Sequence, residues 1–113
     1  MSDCIFCGIV NGGIPADIVF ENDQVIAFRD IEPKAPTHIL VIPREHFANL
    51  SSIVNRNPET ALAIFQAAID VATLEGLDAG YRVVSNTGSD GGQTVHHVHL
   101  HLLGGRSLTW PPG

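Results

Sequence analysis

The chain has 113 residues, 44% of them hydrophobic, which predicts one domain with its own core and excludes a disordered chain. Twelve Asp and Glu against six Lys and Arg give a formal net charge of −6, which excludes binding a nucleic-acid backbone by counterion release, since that needs clustered cations. The longest apolar run is five residues, Ala61 to Phe65, too short to span a membrane.

In chain order, Met1-Ser2-Asp3-Cys4 carries no basic region followed by an apolar stretch, so no secretory signal is expected. Residues 3–11 predict a short helix capped by Ser2 and ended by Gly12-Gly13. Residues 18–21 and 24–30 predict two strands. Asn22-Asp23 between them reads as a two-residue hairpin turn, since both residues tolerate positive φ. A third strand covers Thr37 to Ile42 and is closed by Pro43; a short helix follows over 45–54. The strongest helix signal is 58–75, with Asn57 as cap, Pro58 at the first position and Glu59 in the first turn. Leu62, Phe65, Ile69 and Ala72 make one apolar stripe on it, and Gly76 ends it. Residues 81–86 are a fourth strand, 87–93 a glycine-rich loop, and 95–103 a fifth strand. Gly104-Gly105 and a tail to Gly113 complete the chain. Five short strands, one long helix and hairpin-like connections predict an α+β fold with an antiparallel sheet.

Six residues are His, and four of them fall together: His96, His97, His99 and His101. In a strand, residues i, i+2 and i+4 share a face at spacings of about 6.6–6.8 Å. His97, His99 and His101 are then neighbours, while Val98, Leu100 and Leu102 point to the core and His96 faces away. Such a row of imidazoles can bind a metal, donate hydrogen bonds to a phosphate, or supply a nucleophile and acid–base groups. A solvated polar face is the bland alternative, but such faces are usually Lys, Glu, Thr and Ser. The adjoining glycine-rich loop, 88–94, favours phosphate, because glycines let backbone N–H groups approach an anion.

His97-Val98-His99-Leu100-His101-Leu102-Leu103 has the pattern His-φ-His-φ-His-φ-φ, φ being apolar. With it stand Phe28-Arg29-Asp30-Ile31, Ala35-Pro36-Thr37-His38, Val41-Ile42-Pro43, Gly91-Gly92-Gln93-Thr94 and the terminal Trp110-Pro111-Pro112-Gly113. On these segments the chain resembles the histidine-triad (HIT) superfamily, and within it the Hint branch of purine nucleoside phosphoramidases. The resemblance covers nearly the whole chain and implies a single HIT domain over 1–113. It implies a five-stranded antiparallel sheet and a homodimer, with the tail 104–113 at the interface. It implies hydrolysis of P–N bonds in AMP-amines through a nucleotidyl-histidine. His99 is then the nucleophile, His101 a donor to the phosphate, His97 a brace, and Thr94 a hydroxyl near the phosphate or leaving group. Strict alternation puts Thr94 opposite the triad, so the loop must bend for that role. Asp30 would accept from ribose hydroxyls. Ile5, Phe6, Ile9, Phe28 and Ile31 would surround the purine, although by composition alone they read as core. His38, Asn86, Gly92 and Gln93 complete the nucleotide set, AMP or GMP being the ligand. Alternatives are a dinucleoside polyphosphate hydrolase of the same superfamily and a non-catalytic nucleotide- or zinc-binding module.

Two cysteines are too few for a disulfide scaffold and point to the cytoplasm. Cys4-x-x-Cys7 is half of a tetrahedral zinc site. The resemblance extends to relatives with a Cys2His2 site, which here implies His46 and His97 as the other ligands of a structural zinc. Buried apolar thiols or a redox pair are the other readings. No catalytic cofactor is implied.

Overall fold

The computed structural model describes residues 4–113; the expected Ser2 cap lies outside them. The elements are α1 (Ile5–Val10), β1 (Ile18–Glu21), β2 (Val25–Arg29), β3 (Thr37–Pro43), α2 (Leu50–Arg56), α3 (Pro58–Leu74), β4 (Tyr81–Val84) and β5 (Leu100–Gly104). The five strands form one antiparallel sheet in the order β1-β2-β3-β5-β4. This is the expected α+β architecture. No helix among the described residues is long and apolar enough to cross a membrane.

The sheet buries both faces, which is why all seven residues of central β3 are buried and read as a continuous apolar run. On one face Ile39, Val41, Val98, Leu100 and Leu102 pack with Ile64, Ala67, Ala68 and Val71 of α3, so Val98, Leu100 and Leu102 point to the core as expected. On the other, Phe6 of α1 packs with Ile26, Phe28, Leu40 and Ile42. α3 starts as its sequence predicts: the Asn57 Oδ1 accepts from the Thr60 N–H at 3.2 Å, and Pro58 opens the first turn. Its far end is tied to β2 by the paired hydrogen bonds of Arg29 to Glu75, 3.0 and 2.9 Å.

The structure corrects several expectations. Helix α1 is capped by Cys4, whose Sγ accepts from the Cys7 N–H at 3.2 Å. The β1–β2 turn has three residues, 22–24; the Asn22 side chain accepts from the Gln24 and Val25 N–H groups, both at 2.9 Å, and no positive φ is needed there. The second helix starts at Leu50, where Asn49 caps Ser52 N–H, and not at residue 45. The stripe Leu62, Phe65 and Ile69 faces outward, 69%, 39% and 50% exposed. The buried stripe is made of smaller residues, among them Ala61, Ile64, Ala68 and Ala72, which lets α3 lie close on the sheet. β4 stops at Val84, and β5 begins only at Leu100. Residues 95–97 form a bend. That bend removes the parity objection to Thr94. The tail is held on its own chain by the Arg82 guanidinium, which donates to the Thr109 carbonyl, and Trp110 stands 82% exposed.

Candidate functional site

A cleft of about 810 Å³ opens on the α1 side of the sheet. Its walls include Ile5, Phe6, Ile9, Phe28, Asp30 and Ile31 at one end and Asn86, Gly92, Thr94, His99 and His101 at the other. Phe6 and Phe28 are buried as well as cleft-lining, whereas Ile5 and Ile31 are 51% and 96% exposed; those two form an apolar rim and not the core that composition suggests. Sequence reasoning missed Ile14, Pro15, Ala16, Asp17, Arg29, Leu40 and Val95 on the same walls. The one available signal was the doublet Gly12-Gly13, which turns the chain so that Ile14 meets Gly8; a Cβ on Gly8 would lie 2.5 Å from Ile14 Cδ1.

The triad does not form one row. His99 and His101 share a face, with ring centroids 5.1 Å apart. His97, in the bend, is fully buried and turns to the two cysteines. The His99 Nδ1 lies 2.8 Å from the His97 carbonyl. A carbonyl only accepts, so Nδ1 carries the proton and Nε2 keeps its lone pair. Phe6 holds the ring edge-to-face, centroids 5.1 Å apart at 90°.

A second relay fixes the opposite tautomer on His101. The Lys34 N–H donates to His38 Nδ1 at 3.0 Å, so the His38 proton sits on Nε2. That N–H faces His101 Nδ1 at 2.9 Å and the Asp30 carboxylate at 3.4 Å. His101 Nδ1 therefore accepts, and its Nε2–H is left to donate. Register explains the contact: Leu40 pairs with His101, so His38, two residues away on β3, is its diagonal neighbour. Hence His38 stands behind His101 and is not on the cleft wall.

Burial lowers the pKa of all four inner rings. His97 and His101 fall to about 4, His101 also through the neighbouring His99 and His38. His99 and His38 are lowered by the same desolvation, against the pull of Asp30. At neutral pH the site therefore presents neutral imidazoles: one bare nitrogen and one N–H donor.

The loop before the triad is closed on itself. The Gln93 carboxamide donates to the Ala48 and Val95 carbonyls at 2.7 and 3.1 Å and accepts from the Gly88 N–H at 3.1 Å. The Gly92 and Gln93 N–H groups bond to Ser89 and Gly88 carbonyls at 3.1 and 3.0 Å. They are loop staples, and the donors expected of them are already occupied. Asn86 bonds the Gly91 carbonyl at 2.7 Å. Gly91 is obligatory for this closure, since a Cβ there would lie 2.2 Å from the Thr87 carbonyl oxygen. His96 is exposed, outside the cleft.

Among the described residues, two side-chain clusters bring metal-ligating types together: Cys4, Cys7, His46 and His97, and Asp30, His38 and His101. Only the first fits a metal. Its His46 and His97 Nδ1 atoms are 3.2 Å apart, and its S···N separations are 3.3, 3.4 and 3.5 Å. A zinc tetrahedron has N···N edges of about 3.3 Å and S···N edges of about 3.6 Å, given its bond lengths. The His97 Nε2–H donates to the Pro43 carbonyl at 2.9 Å, which leaves Nδ1 bare toward the cluster, as a second-shell partner does. Burial, then Cys4, raises the Cys7 thiol above its ordinary value, and a cation in the cluster would favour its thiolate. In the second cluster the Lys34 N–H keeps a proton on His38 Nε2, the very atom a metal would need.

A family model described as HIT domain matches residues 11–108. A HIT-like protein of Synechococcus elongatus is 52% identical over 111 residues, covering 98% of this chain and 97% of that protein. A 14 kDa zinc-binding protein of Zea mays is 47% identical, covering 99% of this chain and 89% of the maize protein. A crystal structure of a HIT family hydrolase from Legionella pneumophila superposes with a TM-score of 0.94 at 51% identity, covering 98% of this chain and all of that one (100%).

Proposed function

The chain belongs to the HIT domain family, and on that premise we propose that it is a purine nucleoside phosphoramidase of the Hint type, hydrolysing AMP-amines through a nucleotidyl-His99 intermediate. One observation carries this reading. The His97 carbonyl accepts a hydrogen bond from the His99 Nδ1–H, so a bare, neutral Nε2 is left on a ring that lines the cleft.

The 5′-nucleotide lies with its base against Phe6, Ile9 and Phe28 and its ribose hydroxyls at the Asp30 carboxylate. The His99 Nε2 attacks phosphorus, a P–N(His) bond forms, and the P–N bond to the amine breaks. The departing amine takes a proton from water through the Thr94 hydroxyl. The His101 Nε2–H donates to a non-bridging phosphate oxygen and stabilises charge as it develops. Water then attacks phosphorus and gives one proton to the hydroxide left by the first step, His99 leaves with its electron pair, and AMP is released. Splitting one displacement into two is the gain of a covalent nucleophile. None of these steps needs a cofactor. Cys4, Cys7, His46 and His97 would hold a zinc ion, which supplies a cross-link and no open coordination position, because all four ligands come from the protein.

Turnover of an AMP-amine by wild type and by a folded His99→Ala variant tests the reading; undiminished turnover in the variant rejects it. The Trp110-Pro111-Pro112-Gly113 ending favours the Hint type over a dinucleoside polyphosphate hydrolase, and kcat/KM on the two substrates separates them. A homodimer belongs to the same proposal. It is supported by the outward stripe Leu62, Phe65 and Ile69 and by the position of β4 at the sheet edge, and sedimentation of Leu62→Asp tests it. Free thiols at positions 4 and 7 suit a cytoplasmic setting.

A further inference from the structure

We infer that Cys4, Cys7 and His46, holding His97 through a shared zinc ion, are positioning residues for His99, so that the metal cluster sets the nucleophile although it touches no substrate. The inference rests on the proposed role of His99.

Two routes connect the cluster to that ring. The first is His97, which is held at three points. Its Nδ1 lies in the cluster, 3.2–3.5 Å from the His46 nitrogen and both sulfurs. Its Nε2–H is on the Pro43 carbonyl at 2.9 Å. Its own carbonyl receives the His99 Nδ1–H at 2.8 Å. A ring clamped at both nitrogens fixes its Cα, and the carbonyl follows one bond away. The peptide that carries this carbonyl has one other restraint, and it leads back to the cluster: its Val98 N–H donates to the Phe47 carbonyl at 2.7 Å, and Phe47 follows His46 in the chain; residues 95–97 lie in a bend and the β5 ladder starts only at Leu100. If the carbonyl turns away, the His99 proton is free to move to Nε2, and the nucleophile loses its lone pair.

The second route is Phe6, which sits between Cys4 and Cys7 in the sequence. Its ring lies edge-on to His97 at 5.9 Å and to His99 at 5.1 Å. It is carried by α1, six residues long, too short to be stable by itself. The Cys4 sulfur caps α1, so anchoring both cysteines anchors the helix and the ring that backs His99.

The test compares His46→Ala with His46→Cys. His46 is exposed, so removing its ring opens no core cavity. Bound zinc, the 15N signature of the His99 tautomer, AMP affinity and the first-turnover rate of nucleotidyl transfer are read in each. In His46→Ala we expect zinc loss, a His99 signal shifted from the Nδ1–H tautomer toward a mixture, and first turnover slowed about tenfold or more, with AMP affinity falling less. His46→Cys keeps a zinc ligand, and there both signal and rate return to within about threefold of wild type. A folded, zinc-free His46→Ala with the wild-type tautomer signal and first-turnover rate overturns the inference. If His46→Ala does not fold, Phe6→Leu tests the second route at saturating substrate, since Phe6 also meets the base: zinc stays bound, the His99 15N signal shifts toward a mixture and the saturated first-turnover rate falls, and an unchanged signal and saturated rate overturn it. The failure of the underlying reading looks different. There wild type itself forms no nucleotidyl adduct, while the tautomer signature still reports whether His46 positions His99.

Discussion

The two histidine clusters flanking His99 are built from the same side chain and do opposite work. Around His97, the Pro43 carbonyl accepts from the Nε2–H at 2.9 Å and leaves Nδ1 bare among two sulfurs and a second imidazole. Around His101, the Lys34 N–H donates to His38 Nδ1 at 3.0 Å, so the His38 Nε2–H donates to His101 Nδ1 and the His101 Nε2–H is left facing outward. One backbone acceptor makes a metal ligand; one backbone donor makes a proton donor. The lesson is that a histidine's role is written in the main-chain group that meets its second nitrogen, and not in its place within a motif.

Removing a cluster ligand breaks the comparison most severely. Cys4→Ala deletes a sulfur and the α1 cap together, and is expected to cost about 4 kcal/mol or more, read as a loss of bound zinc and a fall in Tm. A Tm equal to that of wild type would show that the cluster is no cross-link. On the other side, His101→Ala leaves the fold and the zinc content intact and lowers kcat about 10²–10³-fold, the usual effect of losing one donor to a developing oxyanion.

Acid sharpens the contrast. His101 has a folded pKa of about 4, below the ordinary His value, so the unfolded chain binds its proton first as pH falls. Its contribution is fully present above about pH 6.5 and is lost between about 6.5 and 4, amounting to about 1–2 kcal/mol once the screening of a half-buried ring is allowed for. The stability difference between wild type and His101→Asn, followed by denaturant titration over that range, isolates this group, since the metal cluster is common to both proteins. A difference that does not change with pH contradicts the buried, neutral ring. The smallest effect is expected for His38→Ala, which frees the His101 tautomer without touching the cleft wall. It should lower kcat about tenfold with KM little changed.

Much of the site was legible because alternation and spacing act locally. Leu100 and Leu102 are buried and His101 faces the cleft as the period of a strand requires. The period argument misplaces His97 in the row, because the strand begins at Leu100 and the period does not apply across a bend, whereas the Cys-x-x-Cys pattern and the resemblance put it among the zinc ligands, where it lies. The outward face of α3 escaped for another reason. Leu62, Phe65 and Ile69 and the buried Ala61, Ile64 and Ala68 both follow the helical period. A helix apolar all round does not declare which side meets the sheet; the small residues win because they allow closer packing. The resemblance puts Gln93 in the nucleotide set. Nothing in the sequence tells that its amide closes the loop on Ala48, 45 residues away.

The central claim is that His99 bonds to phosphorus. Mixing the wild-type protein with an AMP-amine, quenching within one turnover and mapping peptides by mass spectrometry tests it most directly. The account predicts a nucleotide on the peptide that contains His99, at its imidazole, decaying as AMP appears. AMP released at full rate with no peptide ever carrying the nucleotide, or with the label on another side chain, would contradict it.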